Sequence, residues 1–414
     1  MACGYFLHRD HAVTLYEQND YVGGHTNTVS VEEDGREVYI DTGFMVYNEV
    51  TYPNLTRLFG ELNVPTRPTS MSFSVQHVPS GLEFCGSGLD GLFAQRKNIY
   101  SPSFIALLRQ VNRFNKQSLE VLENKQFEHF TLAEYAEHRG YSNTFLQKYL
   151  IPMSSAVWST PPDLMLDFPA VTLVRFFKNH GFLGLNSQHQ WRTVVEGSKT
   201  YRDLLIAPFL KNIRLGDPAM TIKRERGRAT VTTRGGDAAS YDRVILACHG
   251  DQALRLLNEP TAMERSLLGS FRYQENLATL HTDDSVMPKK KRAWSSWNYR
   301  IDAGRDGLPA PSTVYYMNSL QQVSTKKAYF VSINDPGNIH PAKVLKEIKY
   351  EHPLFSLAAI AAQTELNKLN ENTVVNFCGS YFKYGFHEDA LTSAIELCGT
   401  ITHGKTWSDG RPHR

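Results

Sequence analysis

The sequence predicts an α/β protein with a doubly wound sheet in a discontinuous domain, joined to a second, α+β domain. Three observations carry this. A short strand, Ala12–Tyr16, ends in Glu17, and the bare pair Gly23-Gly24 follows. Segments rich in β-formers stand at the start, middle and end of the chain and are interrupted twice by other material. Near the C-terminus a buried strand, Val374–Cys378, passes through a glycine-containing loop into a helical stretch, Ala390–Leu397. A strand closing on an acid is half of a Rossmann-like nucleotide site, where the carboxylate takes ribose hydroxyls. Bare glycines after it let backbone approach a ligand without a Cβ.

The elements follow in order. Met1–Leu7 is short, apolar and helix-compatible, and His8–His11 is a polar turn. Val29–Val31 and Val38–Ile40 alternate around Glu33-Asp34-Gly35, a hairpin pattern. Asp41-Thr42-Gly43-Phe44 comes next, then Tyr52–Leu62 at helical spacing. From about residue 70 the character changes: Phe104–Phe114 and Leu119–Phe130 read as amphipathic helices. Ile213–Ala247 returns to β, with two strands around Arg226-Gly227 and a third, buried one in "YDRVILAC". Leu277–Tyr299 and Thr313–Ile333 carry strand patterns, and Leu354–Leu366 is helical. The expected division is 1–69, 192–252 and 370–403 for the nucleotide-binding domain and 70–191 and 253–369 for the substrate domain. Residues 404–414 are expected to be a disordered tail.

Composition excludes several classes. The 414 residues are 41% hydrophobic and 21% charged, which supports a sizeable core. A formal charge of +2 argues against a dedicated nucleic-acid binder. Five scattered cysteines contain no C-x-x-C pair, so neither a disulfide framework nor a zinc site is indicated. No apolar run nears the roughly 20 residues of a membrane span, and no apolar leader core opens the chain. The expectation is a cytoplasmic protein.

Several pieces together resemble a known family: "VTLYEQNDYVGGHTNTV", "IDTGFMVYN", "WRTVVEGSKTYRDLL", "VILACHGDQALRLL", "LHTDDSVMPKKKRAWSSWNY" and "FCGSYFKYGFHEDALTSAIELC". They resemble the flavin-containing amine oxidase and phytoene desaturase superfamily. The resemblance is closer to its bacterial FAD-dependent branch, which also occurs fused to plant cyclopropane-fatty-acid synthases. It implies FAD as cofactor. Glu17 would hold the ribose, with Gly23, Gly24, His25, Thr42, Gly43 and Phe44 around it. Gly379, Glu388, Asp389, Ala390 and Leu391 would wrap the ribityl chain and pyrophosphate, the last at a helix N-terminus that favours an anion. Ala219 is the nearest match to the position that holds adenine, and a plain strand residue there is an equal reading. Tyr381, Tyr384 and His387 fall inside the last motif and are expected near the isoalloxazine. Trp297, with Trp294 and Tyr299, is either core or lining of an apolar channel. No residue stands out as an essential acid or base.

The sequence departs from the family in one large respect. Members begin with a strand and G-x-G-x-x-G, roughly 15–20 residues that find no counterpart here. The expectation is that loss of this strand weakens FAD retention. Ala390 and Ala394 also stand where glycine is usual.

Three weaker clusters have plainer readings. His249, Asp251 and Gln252 read as a capped helix start. His281, Asp283 and Asp284 read as a solvated turn. Lys289–Arg292 reads as a charged loop, with peripheral contact to an anionic membrane as the sharper alternative. The implied function is two-electron oxidation or desaturation of an apolar, lipid or fatty-acyl substrate with hydride transfer to FAD. The competing readings are a non-catalytic partner protein that no longer binds FAD, and a flavin-dependent isomerase.

Overall fold

The computed structural model describes residues 1–158, 160–184, 189–304, 309–404 and 406–407. Its largest sheet has seven strands. In spatial order they are Val344–Leu354, Arg272–His281, Phe330–Ile333, Pro309–Tyr316, Trp297–Ala303, Phe73–His77 and Leu82–Cys85. All pair antiparallel except Trp297–Ala303 with Phe73–His77. One face of this sheet is closed by the N-terminal hairpin, where Val29, Val38 and Ile40 pack with Leu280, Val331 and Tyr350.

The hairpins form where turn chemistry demands them. Thr28–Glu33 pairs with Arg36–Asp41 across Asp34 (φ 52°) and Gly35 (φ 78°). Ala219–Glu225 pairs with Arg228–Thr233 across Arg226 (φ 49°) and Gly227 (φ 78°). Two successive residues at positive φ make the turn whose twist matches the flanking strands.

The parallel sheet is found in two pieces. Leu15–Glu17 pairs with Ile213–Leu215, and Val244–Leu246 pairs with Val375–Phe377. Among the described residues no strand bridges them. The segment "YDRVILAC" is divided: Ala238–Tyr241 joins the antiparallel hairpin, and only Val244–Leu246 enters the parallel pair.

The helical stretch keeps the first expected helix, Pro102–Gln117, begun by Pro102 and by Ser101 Oγ accepting from Phe104 N. The second breaks into Glu120–Glu123 and a turn at Lys125–Phe127. One apolar cluster runs from Phe6 through Phe104 and Phe177 to Ile395, so residues 1–69, 70–191 and the C-terminal helix share an interior.

Two expectations need correction. Trp407, placed in a disordered tail, is buried and packs edge-on against Phe6 at 5.1 Å between ring centroids. Thr406 is buried as well, and residues 405 and 408–414 of that tail lie outside the described residues. His281 and Asp283 are buried, not solvated: Asp283 accepts from Ser285 N, His340 N and Lys343 Nζ.

Candidate active site

The site is built from the residue where the first strand ends. Glu17 Oε1 accepts from Asn19 N at 2.9 Å and Asn19 Nδ2 at 3.0 Å, while Oε2 has no hydrogen bond among the described residues. Asn19 O in turn accepts from Gly216 N, which ties this loop to the start of the strand that begins at Ala219. Tyr16 and Ala219 flank the same apolar cluster. Glu17 pairs with Leu215, four residues before Ala219, although about 200 residues separate the two strands in the chain.

The glycines that follow divide by role. A Cβ on Gly43 would meet His25 O at 2.3 Å, and one on Gly23 (φ 126°) would meet Thr26 O at 2.6 Å. Both are bare because backbone lies against backbone: Phe44 N donates to His25 O at 2.7 Å and Thr42 N to Asn27 O at 3.0 Å. Only Gly24 (φ 57°) has nothing within 4 Å of its Cβ direction. Of these three glycines, Gly24 alone has room on its Cβ side for a ligand. Gly379 resembles Gly43, since its Cβ would meet the Tyr381 ring at 2.7 Å.

Four histidines, distant in sequence, converge beside this loop. His25 stacks on Tyr350 with centroids 4.8 Å apart and meets His352 edge-on at 5.0 Å. His387 stacks on Phe44 at 4.0 Å and is hydrogen-bonded through Nε2 to the Tyr201 hydroxyl. His249 stacks on Tyr273 at 4.1 Å and contacts Glu351. Burial holds His352 and His387 down to about 4. Burial, then the neighbouring imidazoles, lowers His25 well below its ordinary value. The group is a wall of neutral imidazoles at pH 7. His25 Nε2 is buried without a partner. Buried polar atoms are rarely left so, and a ligand with polar atoms would satisfy it.

The C-terminal helix, His387–Ile401, closes the site. Ser393 Oγ accepts from Gly379 N and donates to Ala390 O, both at 2.9 Å, so the loop is clamped to the first helical turn. Leu391 is buried against the interior. The side chains of Glu388 and Asp389 are committed elsewhere than a cofactor. Glu388 accepts from Asn54 N and Leu55 N, capping the helix Pro53–Glu61. Asp389 Oδ2 accepts from Phe386 N at 2.9 Å and Tyr384 N at 3.2 Å, capping its own helix. The first-turn N–H groups of His387 and Glu388 have no acceptor within the helix.

The four aromatic and histidine candidates are not brought together. His387 belongs to the histidine wall. Tyr381 is buried against Phe271, its hydroxyl unpartnered. Trp297 stacks over Tyr315 on the seven-stranded sheet, in a cluster with Ala156 and Tyr299. It is core. Tyr384 lines a cavity of about 350 Å³ together with Tyr52, Phe176, His180, Phe386 and Asp389. Phe176 stacks on His180 at 3.9 Å and on Phe386 at 4.8 Å. Sequence reasoning missed this cavity because Glu388 and Asp389 were assigned to the cofactor and not to a substrate pocket. The acids next to Phe386 and His387 were the available clue.

The residues match a known profile. Residues 1–286 fit that of the flavin containing amine oxidoreductases. The chain belongs to that family. Its fold agrees: a putrescine oxidase double mutant superposes with a TM-score of 0.67 at 11% identity, covering 97% of this chain and 96% of that one. A putative protoporphyrinogen oxidase from Exiguobacterium sp. 255-15 gives 0.67 at 15%, covering 97% and 95%. A fatty acid isomerase from P. acnes gives 0.65 at 12%, covering 97% and 95%. No curated protein matches the chain. No helix among the described residues is long and apolar enough to cross a membrane.

Members of the family carry flavin, and the residues present fit one: a free carboxylate oxygen, an open glycine, an unpartnered buried imidazole and a helix N-terminus. If Glu17 takes the ribose, Glu17→Ala removes charge-assisted bonds of roughly 1.5–3 kcal/mol. FAD affinity is expected to fall by about one to two powers of ten with the fold intact. A fluorescence titration giving equal affinity for variant and parent would remove Glu17 from the site.

Proposed function

We propose that the protein is an FAD-dependent oxidoreductase that takes two electrons from an apolar substrate whose polar end donates a hydrogen bond or carries a positive charge. FAD, when bound, supplies the acceptor for the hydride. Glu17, Gly24 and the helix start at His387 hold it in this reading, and the neutral histidines keep water and charge from its edge.

One observation carries the substrate assignment. The cavity beside the C-terminal helix has aromatic walls and two carboxyls in its lining, and Glu388 spends both its oxygens on Asn54 N and Leu55 N, which leaves Asp389. Asp389 Oδ1 has no hydrogen bond among the described residues, whereas Oδ2 holds two backbone N–H groups. Aromatic faces and a carboxylate together suit a cation or donor. The same carboxyl disfavours a fatty-acid carboxylate at that end, so an acyl chain fits with a neutral or amine head group. The resemblance to synthase-fused relatives supports the apolar body.

Burial raises Asp389 to about 7. His180 in the same cavity is lowered to about 4 by burial and stays neutral. With a cationic substrate, flavin reduction is expected to rise with pH through about 7 as Asp389 ionises. Asp389→Asn should flatten that rise. The linkage runs the same way in stability: the folded state keeps a proton that the unfolded chain has lost, so stability falls between about pH 4 and pH 7. The variant should lack this fall too. Anaerobic bleaching of the FAD-loaded protein, measured from pH 5.5 to 8.5 against long-chain amines, alcohols and fatty acids, tests both. Bleaching by fatty acids alone, independent of Asp389, would overturn the head-group assignment. A non-redox conversion without bleaching would favour an isomerase.

A further inference from the structure

The surface opposite the buried acid Glu83 combines exposed apolar side chains with a concentration of cations. Leu89 is 75% exposed, Tyr100 87% and Ile99 45%. The short helix Gly88–Leu92 carries Leu89, and the turn Arg96–Tyr100 carries the other two. The turn Lys291–Ala293 packs against Gly88–Leu92. Arg292 O would lie 3.5 Å from a Cβ on Gly91, and Asp90 is ion-paired with both Arg96 and Arg292. Glu83 accepts from Lys289 N at 2.9 Å and Lys290 N at 3.0 Å, which fixes the basic run in place without neutralising its side chains by contact.

Arg96, Lys97, Lys289, Lys290, Lys291 and Arg292 are all exposed. Among the described residues Lys97, Lys289 and Lys290 have no ion-pair partner, and Lys291 lies over the Trp294 ring. A soluble surface shields apolar groups from one another with mixed charge. Here the six exposed cations face a single exposed acid, Asp90, and the apolar groups stand among them. That is the complement of an anionic bilayer: cations for the headgroups, Leu89 and Tyr100 for the boundary beneath.

We propose that this face, Gly88–Tyr100 with Lys289–Arg292, seats the protein on an anionic lipid bilayer. The contact is peripheral and electrostatic, and it is independent of the reading of the cavity. Each lysine near such a surface contributes about 1 kcal/mol, so two neutral replacements should weaken binding about 30-fold.

Flotation of the full chain with vesicles of phosphatidylcholine alone, or with 30% phosphatidylglycerol, reads this directly. Binding is expected only to the anionic vesicles and should fall steeply with salt. Lys290→Ser with Lys291→Ser should lose about 30-fold, and Leu89→Ser with Tyr100→Ser should lose binding at high salt first. All four positions are exposed, so melting should be unchanged. Equal flotation with neutral vesicles, no flotation of the parent chain, or parent-like binding by both double variants would each overturn the proposal. Retention of nucleic acid with no vesicle binding would do so as well.

Discussion

Asp41→Ala is expected to destabilise the protein by roughly 3–5 kcal/mol. The carboxylate is buried, and it joins three distant segments. Oδ1 accepts from Ser198 N, Ser198 Oγ and Thr28 Oγ1, at 2.9, 2.7 and 2.6 Å. Oδ2 accepts from Gln321 Nε2 at 2.6 Å, and Gln321 Oε1 accepts from Asp41 N. Ser198 and Gln321 are themselves buried. Removal strands several buried donors, each costing about 1–3 kcal/mol if no water replaces the carboxylate. Gly197 is bare at this junction because a Cβ would meet Thr28 Oγ1 at 2.9 Å and Asp41 Oδ1 at 3.1 Å. Urea unfolding followed by circular dichroism measures the change. A variant within 1 kcal/mol of the parent would show that the network does not hold the hairpin to the rest of the fold.

Gly43→Val should break the cofactor cradle while leaving the seven-stranded sheet intact. The new Cβ would fall 2.3 Å from His25 O, a distance that only a backbone shift relieves. The shift separates the segment holding Gly24 and His25 from the one holding Phe44, and with it the stack of Phe44 on His387. Overpacking of this kind costs about 1–3 kcal/mol, occasionally more. Taken from a site assembled at this contact, roughly 3 kcal/mol is about two powers of ten in FAD affinity. A flavin fluorescence titration reads the loss, and circular dichroism confirms the sheet. Parent-like affinity would mean that FAD does not use this loop.

Local features were legible in the sequence, and long-range ones were not. The two hairpins announced themselves through Asp34-Gly35 and Arg226-Gly227, because positive φ is a demand that few residue types meet. The helix after Gly379 was equally plain. The strand Val344–Leu354 went unread. It lies at the edge of the sheet and carries Lys346, Glu347, Lys349 and Glu351, charges that protect an edge but erase its alternation. The histidine wall was invisible for another reason. His25, His249, His352 and His387 belong to four different elements, and nothing local to any one of them indicates that they meet. Glu388 shows the converse limit: the motif assigned it to the cofactor, and the structure gives its carboxylate to the helix Pro53–Glu61.

In the proposed function, the N-terminal, middle and C-terminal segments assemble a flavin site around Glu17, Gly24, His25 and His387. Equilibrium titration of the purified chain with FAD tests it most directly. Saturation at one FAD per chain is predicted, with a shifted visible band and with binding weakened by Glu17→Ala and by Gly43→Val. An FAD spectrum that stays that of free flavin throughout the titration, or binding that neither substitution changes, would contradict it.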